Sequence, residues 1–214
     1  IKKKNIQFVY AERFNLNIDR PLKGLDIGSG ANSIYCLLGS EHFGWSMVGA
    51  ESDVKAVEIA KENIARTPAL KNTIEIRLQE NKQFLFKNIV QPNEPFDFSI
   101  CNPPFHSSQA EALKGSYRKQ RNLGNRTDHN TTLLNFEGQA NELWCKGGEA
   151  LFIKRLIKES VGYKSQVKLF SSLVSKEESL PSIEKQLKKA KAIFTVLPME
   201  IGHKVSRIVL WWFE

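Results

Sequence analysis

The segment Leu25-Asp26-Ile27-Gly28-Ser29-Gly30-Ala31-Asn32 decides the fold of this 214-residue chain. Its first residues end an apolar run, residues 22–27, which lies between Pro21 and the glycines Gly28 and Gly30. An apolar run with such flanking residues is typical of a buried parallel strand. A helical pattern through Ile34, Leu37 and Leu38 follows. Glycines here let the backbone pass close to a ligand, and the helix N-terminus offers free N–H groups. The order of strand, glycine turn and helix therefore predicts an α/β fold with a ligand site at the turn.

A second strand, residues 45–50, ends at Glu51, and a helix over residues 53–65 is expected after it. Glu51 lies roughly 20 residues beyond the glycine turn, where an acidic side chain can accept hydrogen bonds from both hydroxyls of a ribose. A dinucleotide-binding turn would carry a third glycine where this chain has Ser33. The pattern therefore favours a nucleoside without a pyrophosphate over NAD, and the leading Asp26 suits S-adenosylmethionine.

Two further strands are predicted at residues 74–78 and 96–101. Polar residues 79–81 follow the first of them, and Asn102 follows the second. In an open α/β sheet, ligands bind beyond the carboxyl ends of the strands, where the strand order reverses. We therefore expect one crevice to collect Asp26, Glu51, residues 79–81 and Asn102.

The turn Asn102-Pro103-Pro104-Phe105 directly follows the fourth predicted strand. Two prolines fix the backbone in a rigid, non-helical conformation and supply no N–H donors. The amide of Asn102 and the neighbouring carbonyl groups can bind a ligand, and the ring of Phe105 offers a face for a planar base. These groups are suited to holding an exocyclic amine. The alternative is a plain loop opener after a strand.

A basic stretch follows this turn, because residues 114–126 contain no acidic side chain and Tyr117 lies among the cations. Its position beside the predicted crevice favours an entry path for a nucleic acid, and a solvated loop is the alternative. The candidate RNA-binding side chains are Lys114, Arg118, Lys119, Arg121 and Arg126.

The C-terminal third completes the predicted fold. An amphipathic helix near residues 150–157, a strand at 166–174 and a helix at 180–190 precede two last strands, 192–197 and 207–213. We expect a seven-stranded, mostly parallel sheet with helices on both faces and a C-terminal antiparallel hairpin. Residues 20–214 would form this one domain.

Composition narrows the class of protein. A formal net charge of +8 and a pI near 9.4 are compatible with a polyanionic partner. Three cysteines, Cys36, Cys101 and Cys145, are widely spaced, which argues for a reducing cytoplasm and against a disulfide framework or a zinc site. No apolar run approaches the roughly 20 residues that span a bilayer. The first residue, Ile1, predicts that a segment precedes it in the natural protein.

The glycine turn, Glu51 and the segment Cys101-Asn102-Pro103-Pro104-Phe105-His106 together resemble the S-adenosylmethionine-dependent amino methyltransferases with an Asn-Pro-Pro-aromatic motif. A finer resemblance, over about residues 22–213, is to the RlmF-like adenine-N6 methyltransferases of large-subunit (23S) ribosomal RNA, which have eukaryotic relatives acting on other RNAs. It rests on further blocks of sequence: Gly30-Ala31-Asn32-Ser33-Ile34-Tyr35, Gly44-Trp45, Arg121-Asn122-Leu123-Gly124, Glu142-Leu143-Trp144-Cys145-Lys146-Gly147-Gly148-Glu149 and Ser171-Ser172-Leu173-Val174-Ser175.

The resemblance implies a Rossmann-like class I methyltransferase that transfers a methyl group from S-adenosylmethionine to adenine N6 without a metal ion. It implies a catalytic turn made of Asn102, Pro103, Pro104 and Phe105. Its cofactor-binding residues would be Asp26, Gly28, Gly30, Ala31, Glu51 and Asn81. The partner would be ribosomal RNA, and the enzyme would be a cytoplasmic monomer.

Three functions stay open at this point. The first is the adenine-N6 methyltransferase; the second is a guanine-N2 rRNA methyltransferase, which would use the same Asn-Pro-Pro-Phe turn. The third is a methyltransferase-like domain that binds RNA without catalysis. The chain also departs from the family, whose longer N-terminal module helps to hold RNA. Residues 1–19 are expected to be at most a remnant of that module or a leader.

Overall fold

A computed structural model of the chain describes residues 20–104, 147–201 and 204–214. The strands in this part are β1 (Lys23–Ile27), β2 (Ser46–Glu51), β3 (Ile74–Leu78), β4 (Phe96–Cys101), β5 (Val167–Val174), β6 (Ile193–Ile201) and β7 (Lys204–Trp212). The α-helices are α1 (Ile34–Phe43), α2 (Val54–Ala65), α3 (Gly148–Ser160) and α4 (Leu180–Lys189). Single turns of 3₁₀ helix lie at Pro68–Leu70, Val161–Tyr163 and Glu177–Ser179.

The seven strands form one sheet in the order β3-β2-β1-β4-β5-β7-β6. Strands β1 to β5 pair in parallel, and β7 pairs antiparallel with both β5 and β6. The order reverses between β1 and β4, which is where an open α/β sheet binds ligands. The predicted fold, a mostly parallel sheet with a C-terminal hairpin, is confirmed.

The sheet is covered on both faces, and each face has its own apolar core. On one face, α3 and α4 bury Ile153, Leu156, Ile183 and Leu187 in a cluster with side chains of the strands. On the other face, the second cluster includes Cys36 of α1 and several side chains of α2. Helices α2, α3 and α4 each bury an apolar stripe, as their 3.6-residue periodicity predicts. Helix α1 differs, because it buries Cys36, Gly39 and Ser40 and leaves Ile34 and Leu38 about half exposed.

The register of the central strands fixes where the site forms. Ile27 of β1 pairs with Ala50 of β2 on one side and with Cys101 of β4 on the other. The next residue along each of these strands is Gly28, Glu51 or Asn102. These three residues therefore leave the sheet side by side at its carboxyl edge.

The hairpin is longer than its sequence predicts. Strands β6 and β7 pair from Ile193↔Trp212 to Ile201↔Lys204, whereas the sequence predicted strands over residues 192–197 and 207–213. A proline lacks the N–H that an inner strand must donate, but an edge strand tolerates it. Because β6 is the edge of the sheet, pairing continues through Pro198.

Candidate active site

The glycine turn after β1 has a left-handed backbone at both of its glycines. Gly28 has φ of 75° and Gly30 has φ of 64°. The backbone N–H groups of Gly28 and Ser29 both donate to the carbonyl oxygen of Ala50, at 2.8 and 3.0 Å. A Cβ atom built on Gly28 would meet nothing within 4 Å, because this glycine faces open space. Glycine is required here for the backbone conformation, and its small size leaves the space above it to a ligand.

Ser33 stands where a dinucleotide-binding turn has its third glycine, and it also adopts the left-handed conformation, with φ of 42°. Its hydroxyl donates to the carbonyl oxygen of Gly30 at 3.2 Å. The side chain therefore stabilises the turn instead of capping helix α1, which begins at the next residue. This local hydrogen bond explains how a non-glycine residue is tolerated there.

The carboxylate of Glu51 is nearly buried, with 7% of the residue exposed. Its Oε1 atom accepts hydrogen bonds from the backbone N–H groups of Ser52 and Asp53, at 2.6 and 2.9 Å. Its Oε2 atom accepts one from the backbone N–H of Gly30, at 2.9 Å. Three backbone donors thus hold the carboxylate in one orientation at the tip of β2.

Asp26 lies beneath the glycine turn and is fully buried. Its Oδ2 atom accepts a hydrogen bond from the thiol of Cys36 at 3.8 Å, whereas its Oδ1 atom has no hydrogen-bond partner in the described residues. Burial raises the pKa of the Asp26 carboxyl to about 7; the Cys36 hydrogen bond works against that rise, and the charge of Glu51 adds to it. A buried carboxyl oxygen without a donor marks a site that a bound ligand or water can complete.

Two cavities open at this edge of the sheet, of about 310 and about 100 Å³. The larger one is lined by Gly28, Gly30, Glu51 and the Asn102-Pro103-Pro104 turn, with Ser29, Asn32, Ile34 and Tyr35 nearby. The smaller one is lined by Ala50, Gln79, Lys82, Phe84 and Leu85. Ile27, Gly28, Glu51, Ser52 and Phe152 line both cavities. The glycine turn and the proposed amine-binding turn therefore face one continuous site.

The predicted site residues fall into two groups. Those in the walls of the larger cavity are Gly28, Gly30, Glu51, Asn102, Pro103 and Pro104. Asp26, Ala31 and Asn81 do not line either cavity. Asp26 lies below the turn, and the carbonyl oxygen of Ala31 accepts a hydrogen bond from Asn63 of α2.

Asn81 is exposed, and its side-chain oxygen accepts a hydrogen bond from the backbone N–H of Gln83 at 2.9 Å. This bond stabilises a local turn, as asparagine side chains often do. The residues that face the smaller cavity on this side are Gln79, Lys82 and Phe84.

Sequence reasoning missed Phe152, which lines both cavities from helix α3. Its helix buries Ile153, Leu156 and Ile157, and Phe152 lies at the margin of that apolar face. A half-buried phenylalanine is ordinary at such a margin, so no signal in the sequence links it to the glycine turn. Lys82 and Phe84 were missed for a related reason, because the segment after β3 has no regular periodicity.

The remaining predicted residues, Phe105 and the basic residues Lys114, Arg118, Lys119, Arg121 and Arg126, lie outside the described residues, as do residues 1–19. In the part of the chain that the structure describes, no cluster of His, Cys, Asp or Glu side chains is arranged to hold a metal ion. None of the helices within those same ranges is both long and apolar enough to cross a membrane.

The strand order, the Asp-x-Gly-x-Gly turn, the acidic tip of β2 and the Asn-Pro-Pro turn beside the point of reversal define a class I, S-adenosylmethionine-dependent methyltransferase. The sequence model of a family described as RNA methyltransferase matches residues 10–214. The chain belongs to this RNA methyltransferase family, and its curated relatives include proteins named ribosomal RNA large subunit methyltransferase F.

One such relative, from Christiangramia forsetii, is 52% identical over 198 residues, which cover 92% of this chain and 68% of the relative. Another, from Psychromonas ingrahamii, is 45% identical over 195 residues, covering 91% of this chain and 63% of the relative. The chain thus spans about two thirds of the length of these proteins. Among solved structures, the human METTL16 catalytic domain in complex with a MAT2A 3′UTR hairpin is 26% identical, with a TM-score of 0.72; the match covers 97% of this chain and 70% of that one.

The residues present fit S-adenosylmethionine, the cofactor of this class. Gly28 leaves open space for a ligand, and Glu51 presents a fixed carboxylate suited to a ribose. An apolar and aromatic wall of Ile27, Phe84 and Leu85 in the smaller cavity suits a flat purine.

Proposed function

We propose that this chain transfers a methyl group from S-adenosylmethionine to the exocyclic N6 amine of an adenine in large-subunit (23S) ribosomal RNA. The observation that carries this proposal is the shared cavity of Asn102, Pro103, Glu51 and Gly28. This cavity supports the proposal, because the turn that would hold the amine lines the same space as the glycine turn that would hold the cofactor. The names of the relatives support a ribosomal RNA substrate, and adenine N6 is the position that the resemblance of the sequence implies.

The amine would be held by two acceptors. The side-chain oxygen of Asn102 and the carbonyl oxygen of Pro103 can each accept one hydrogen bond from an exocyclic amine. The lone pair of an adenine amine is delocalised into the ring, which makes it a weak nucleophile. Two acceptors favour a more pyramidal nitrogen and strengthen as positive charge develops on it, so they stabilise the transition state more than the ground state.

The fold keeps these acceptors in position. Pro103 is buried and Asn102 is exposed, so the turn is anchored at the proline while Asn102 stays accessible. Asn102 is exposed and lines the larger cavity, which supports its proposed contact with a substrate. Holding an amine within roughly 3–3.5 Å of its reaction partner converts a bimolecular step into an effectively unimolecular one.

S-adenosylmethionine supplies an electrophilic methyl group on a sulfonium ion when it is bound. The chain's own part is to orient that ligand: Gly28 and Gly30 allow close approach of the backbone, and Glu51 offers the carboxylate for the ribose. Because the product amine can release its proton to water, no strong base is needed at Asn102.

The remaining roles rest on the sequence. Phe105 would stack on a base flipped out of its RNA context, and Lys114, Arg118, Lys119, Arg121 and Arg126 would contact flanking phosphates. Residues 20–214 would be the catalytic domain. The net charge of +8 supports an RNA partner, and the buried free thiols Cys36 and Cys101 suit a cytoplasmic enzyme acting as a monomer.

A tritium-transfer assay tests the function. The chain is incubated with methyl-labelled S-adenosylmethionine and large-subunit RNA from cells that lack the modification, and the digested RNA is examined by nucleoside mass spectrometry. We expect N6-methyladenosine. N2-methylguanosine would replace the adenine assignment with the guanine-N2 alternative, and tight RNA binding without any transfer would favour a non-catalytic domain.

A further inference from the structure

The wall of the smaller cavity is a segment without regular secondary structure, residues 82–87, that follows β3. Lys82, Phe84 and Leu85 of this wall segment face the cavity. Its own backbone hydrogen bonds are short-range turns, such as the bond from the N–H of Phe84 to the carbonyl oxygen of Asn81. No β-ladder holds it. Two of its own side chains, Leu85 and Phe86, are buried in the core, and the backbone groups of the segment find their remaining partners on side chains from elsewhere.

Helix α3 supplies two such side chains. The guanidinium of Arg155 donates from Nη2 to the carbonyl oxygens of Lys82 and Gln83, at 2.9 and 3.0 Å. The carboxylate of Glu159 accepts hydrogen bonds from three successive backbone N–H groups, those of Leu85, Phe86 and Lys87, at 2.8, 2.8 and 3.0 Å. The charged donor thus satisfies carbonyl groups at one end of the wall segment, and the charged acceptor satisfies N–H groups at the other.

The same face of α3 carries the aromatic ring that lines both cavities. Phe152, Arg155 and Glu159 are spaced by three and four residues, which places them in one stripe along the helix. One stripe of α3 therefore carries both the cavity-lining ring of Phe152 and the side chains of Arg155 and Glu159, which bind the wall segment. Gln79 adds a tether of its own, because its amide nitrogen donates to the carbonyl oxygen of Lys87 at 2.7 Å.

The hydrogen bonds of Glu159 and Arg155 involve ionised groups, which bind more strongly than neutral pairs and hold a fixed geometry. Five backbone groups of the wall segment are bound in this way. The ring of Phe84 is further fixed by the ammonium of Lys87, which lies 4.5 Å from the ring centre. These contacts hold one wall of the smaller cavity, whose volume is about 100 Å³.

We propose that Arg155 and Glu159 are positioning residues that set the width of the smaller cavity and, with it, the affinity of the enzyme for the adenosine part of its cofactor. This inference rests on the proposed function, because it assumes that S-adenosylmethionine binds at this edge of the sheet. Neither residue contacts the reacting atoms. Their effect is on binding, and it passes through the backbone of residues 82–87.

The test compares Glu159→Gln and Arg155→Ala with the wild-type chain, using S-adenosylhomocysteine as the probe in calorimetric titrations. Glutamine offers one acceptor oxygen, and its amide NH2 group cannot accept a hydrogen bond from a backbone N–H. The wall segment therefore loses part of its support. We expect the dissociation constant to rise roughly tenfold or more in both variants. Glu178→Gln makes the same chemical change at an exposed position and should leave the constant within about twofold.

Three further readouts separate positioning from a general loss of structure. Hydrogen exchange should become faster at the amides of residues 82–87 and stay unchanged in β1 and β4. Methyl transfer should show a raised KM for the cofactor and a kcat close to that of the wild type. Arg155→Lys keeps a donor, so it should recover part of the affinity that Arg155→Ala loses.

Unchanged affinity in Glu159→Gln and Arg155→Ala would overturn the inference, as would faster exchange across the whole sheet in step with weaker binding. If Glu159→Gln fails to fold, the comparison of Arg155→Ala with Arg155→Lys tests the inference. Equal affinity of these two variants for S-adenosylhomocysteine counts against it. A wild-type chain that does not bind S-adenosylhomocysteine would overturn the proposed function and this inference together. If the wild-type chain binds S-adenosylhomocysteine and both variants bind it with the same affinity, only this inference is overturned.

Discussion

The carboxylate of Glu51 accepts a hydrogen bond from the backbone N–H of Gly30, with 2.9 Å between Oε2 and the nitrogen. This bond joins the acidic tip of β2 to the glycine turn that follows β1. The glycine turn and the tip of β2 are therefore joined, and the carboxylate is oriented before any ligand arrives. Preorganisation of this kind improves affinity, because less freedom is lost on binding.

Replacing Glu51 with glutamine should weaken binding of S-adenosylhomocysteine by roughly tenfold or more. A single amide oxygen cannot serve the N–H groups of Gly30, Ser52 and Asp53 together with the hydroxyls of a ribose. Calorimetric titration measures the change. Glu58→Gln, on the exposed face of α2, is the matched control and should bind as the wild type does. Equal affinity in both variants would remove Glu51 from the cofactor site.

Two glycines of the β1 region should respond differently to alanine. A Cβ atom on Gly24 would lie 2.4 Å from Cζ of Phe98 and 2.6 Å from the sulfur of Met47, so Gly24→Ala should lower the free energy of unfolding by about 2 to 3 kcal/mol. A Cβ atom on Gly28 would contact no atom, but an alanine there must keep φ near 75°. Gly28→Ala should therefore lower the free energy of unfolding by about 1 kcal/mol.

The same pair separates packing from binding. Gly28 lines both cavities, so its alanine variant should lose affinity for S-adenosylhomocysteine out of proportion to its small loss of stability. Folded Gly24→Ala should retain normal affinity. Denaturant unfolding and calorimetry give the two quantities, and a Gly28→Ala variant with wild-type affinity would contradict a ligand at this turn.

The stability of the chain should depend on pH through Asp26. Burial raises the pKa of its carboxyl from 3.8 to about 7 in the folded protein. Between these values the folded state holds a proton that the unfolded chain has released, so the free energy of unfolding falls as the pH rises. The contribution is complete below pH 3.8 and is lost as the pH passes 7.

Asp26→Asn removes this titration. Relative to the variant, the wild-type chain should lose stability on the order of 1 kcal/mol per pH unit across that window. Denaturant unfolding at a series of pH values measures the difference. Parallel stability curves for the two proteins would mean that Asp26 does not titrate in this range.

Glu149 should be the most sensitive carboxylate for stability, although it lies outside both cavities. It is 2% exposed, and it accepts hydrogen bonds from the backbone N–H and hydroxyl of Ser175, the N–H of Lys176 and the hydroxyl of Ser179. Glu149→Ala leaves these donors without a partner and should cost roughly 3 kcal/mol or more. Glu178→Ala, at an exposed position, is the control and should change the free energy of unfolding little. An equally small effect of Glu149→Ala would show that water replaces the carboxylate as the partner of these donors.

The central strands and the residues at their ends were predictable from the sequence. Short apolar runs, a glycine turn and an acidic residue at a fixed spacing indicate one architecture, because parallel strands share a carboxyl edge. Gly28, Glu51 and Asn102 follow three residues that pair across β1, β2 and β4, and the structure brings them to one cavity as expected.

The smaller cavity was less predictable. Asn81 was chosen because a polar residue follows β3, but its side chain satisfies a local turn, and Gln79, Lys82 and Phe84 face the cavity. That outcome depends on how residues 82–87 are held, and the groups that hold them, Arg155 and Glu159, are more than 70 residues further along the chain. The hydrophobic periodicity of a sequence predicts which face of a helix is buried. It does not predict which distant loop is bound by polar side chains on the rest of the helix surface.

The measurement that tests the central claim most directly is methyl transfer by Asn102→Ala, measured beside its affinity for S-adenosylhomocysteine. Asn102 lines the larger cavity, and we propose that it accepts a hydrogen bond from the substrate amine. We predict that turnover on large-subunit RNA falls by roughly a hundredfold or more, while the dissociation constant of S-adenosylhomocysteine and the free energy of unfolding stay close to those of the wild type. Normal turnover in this variant would contradict the assignment of Asn102 as the residue that holds the amine.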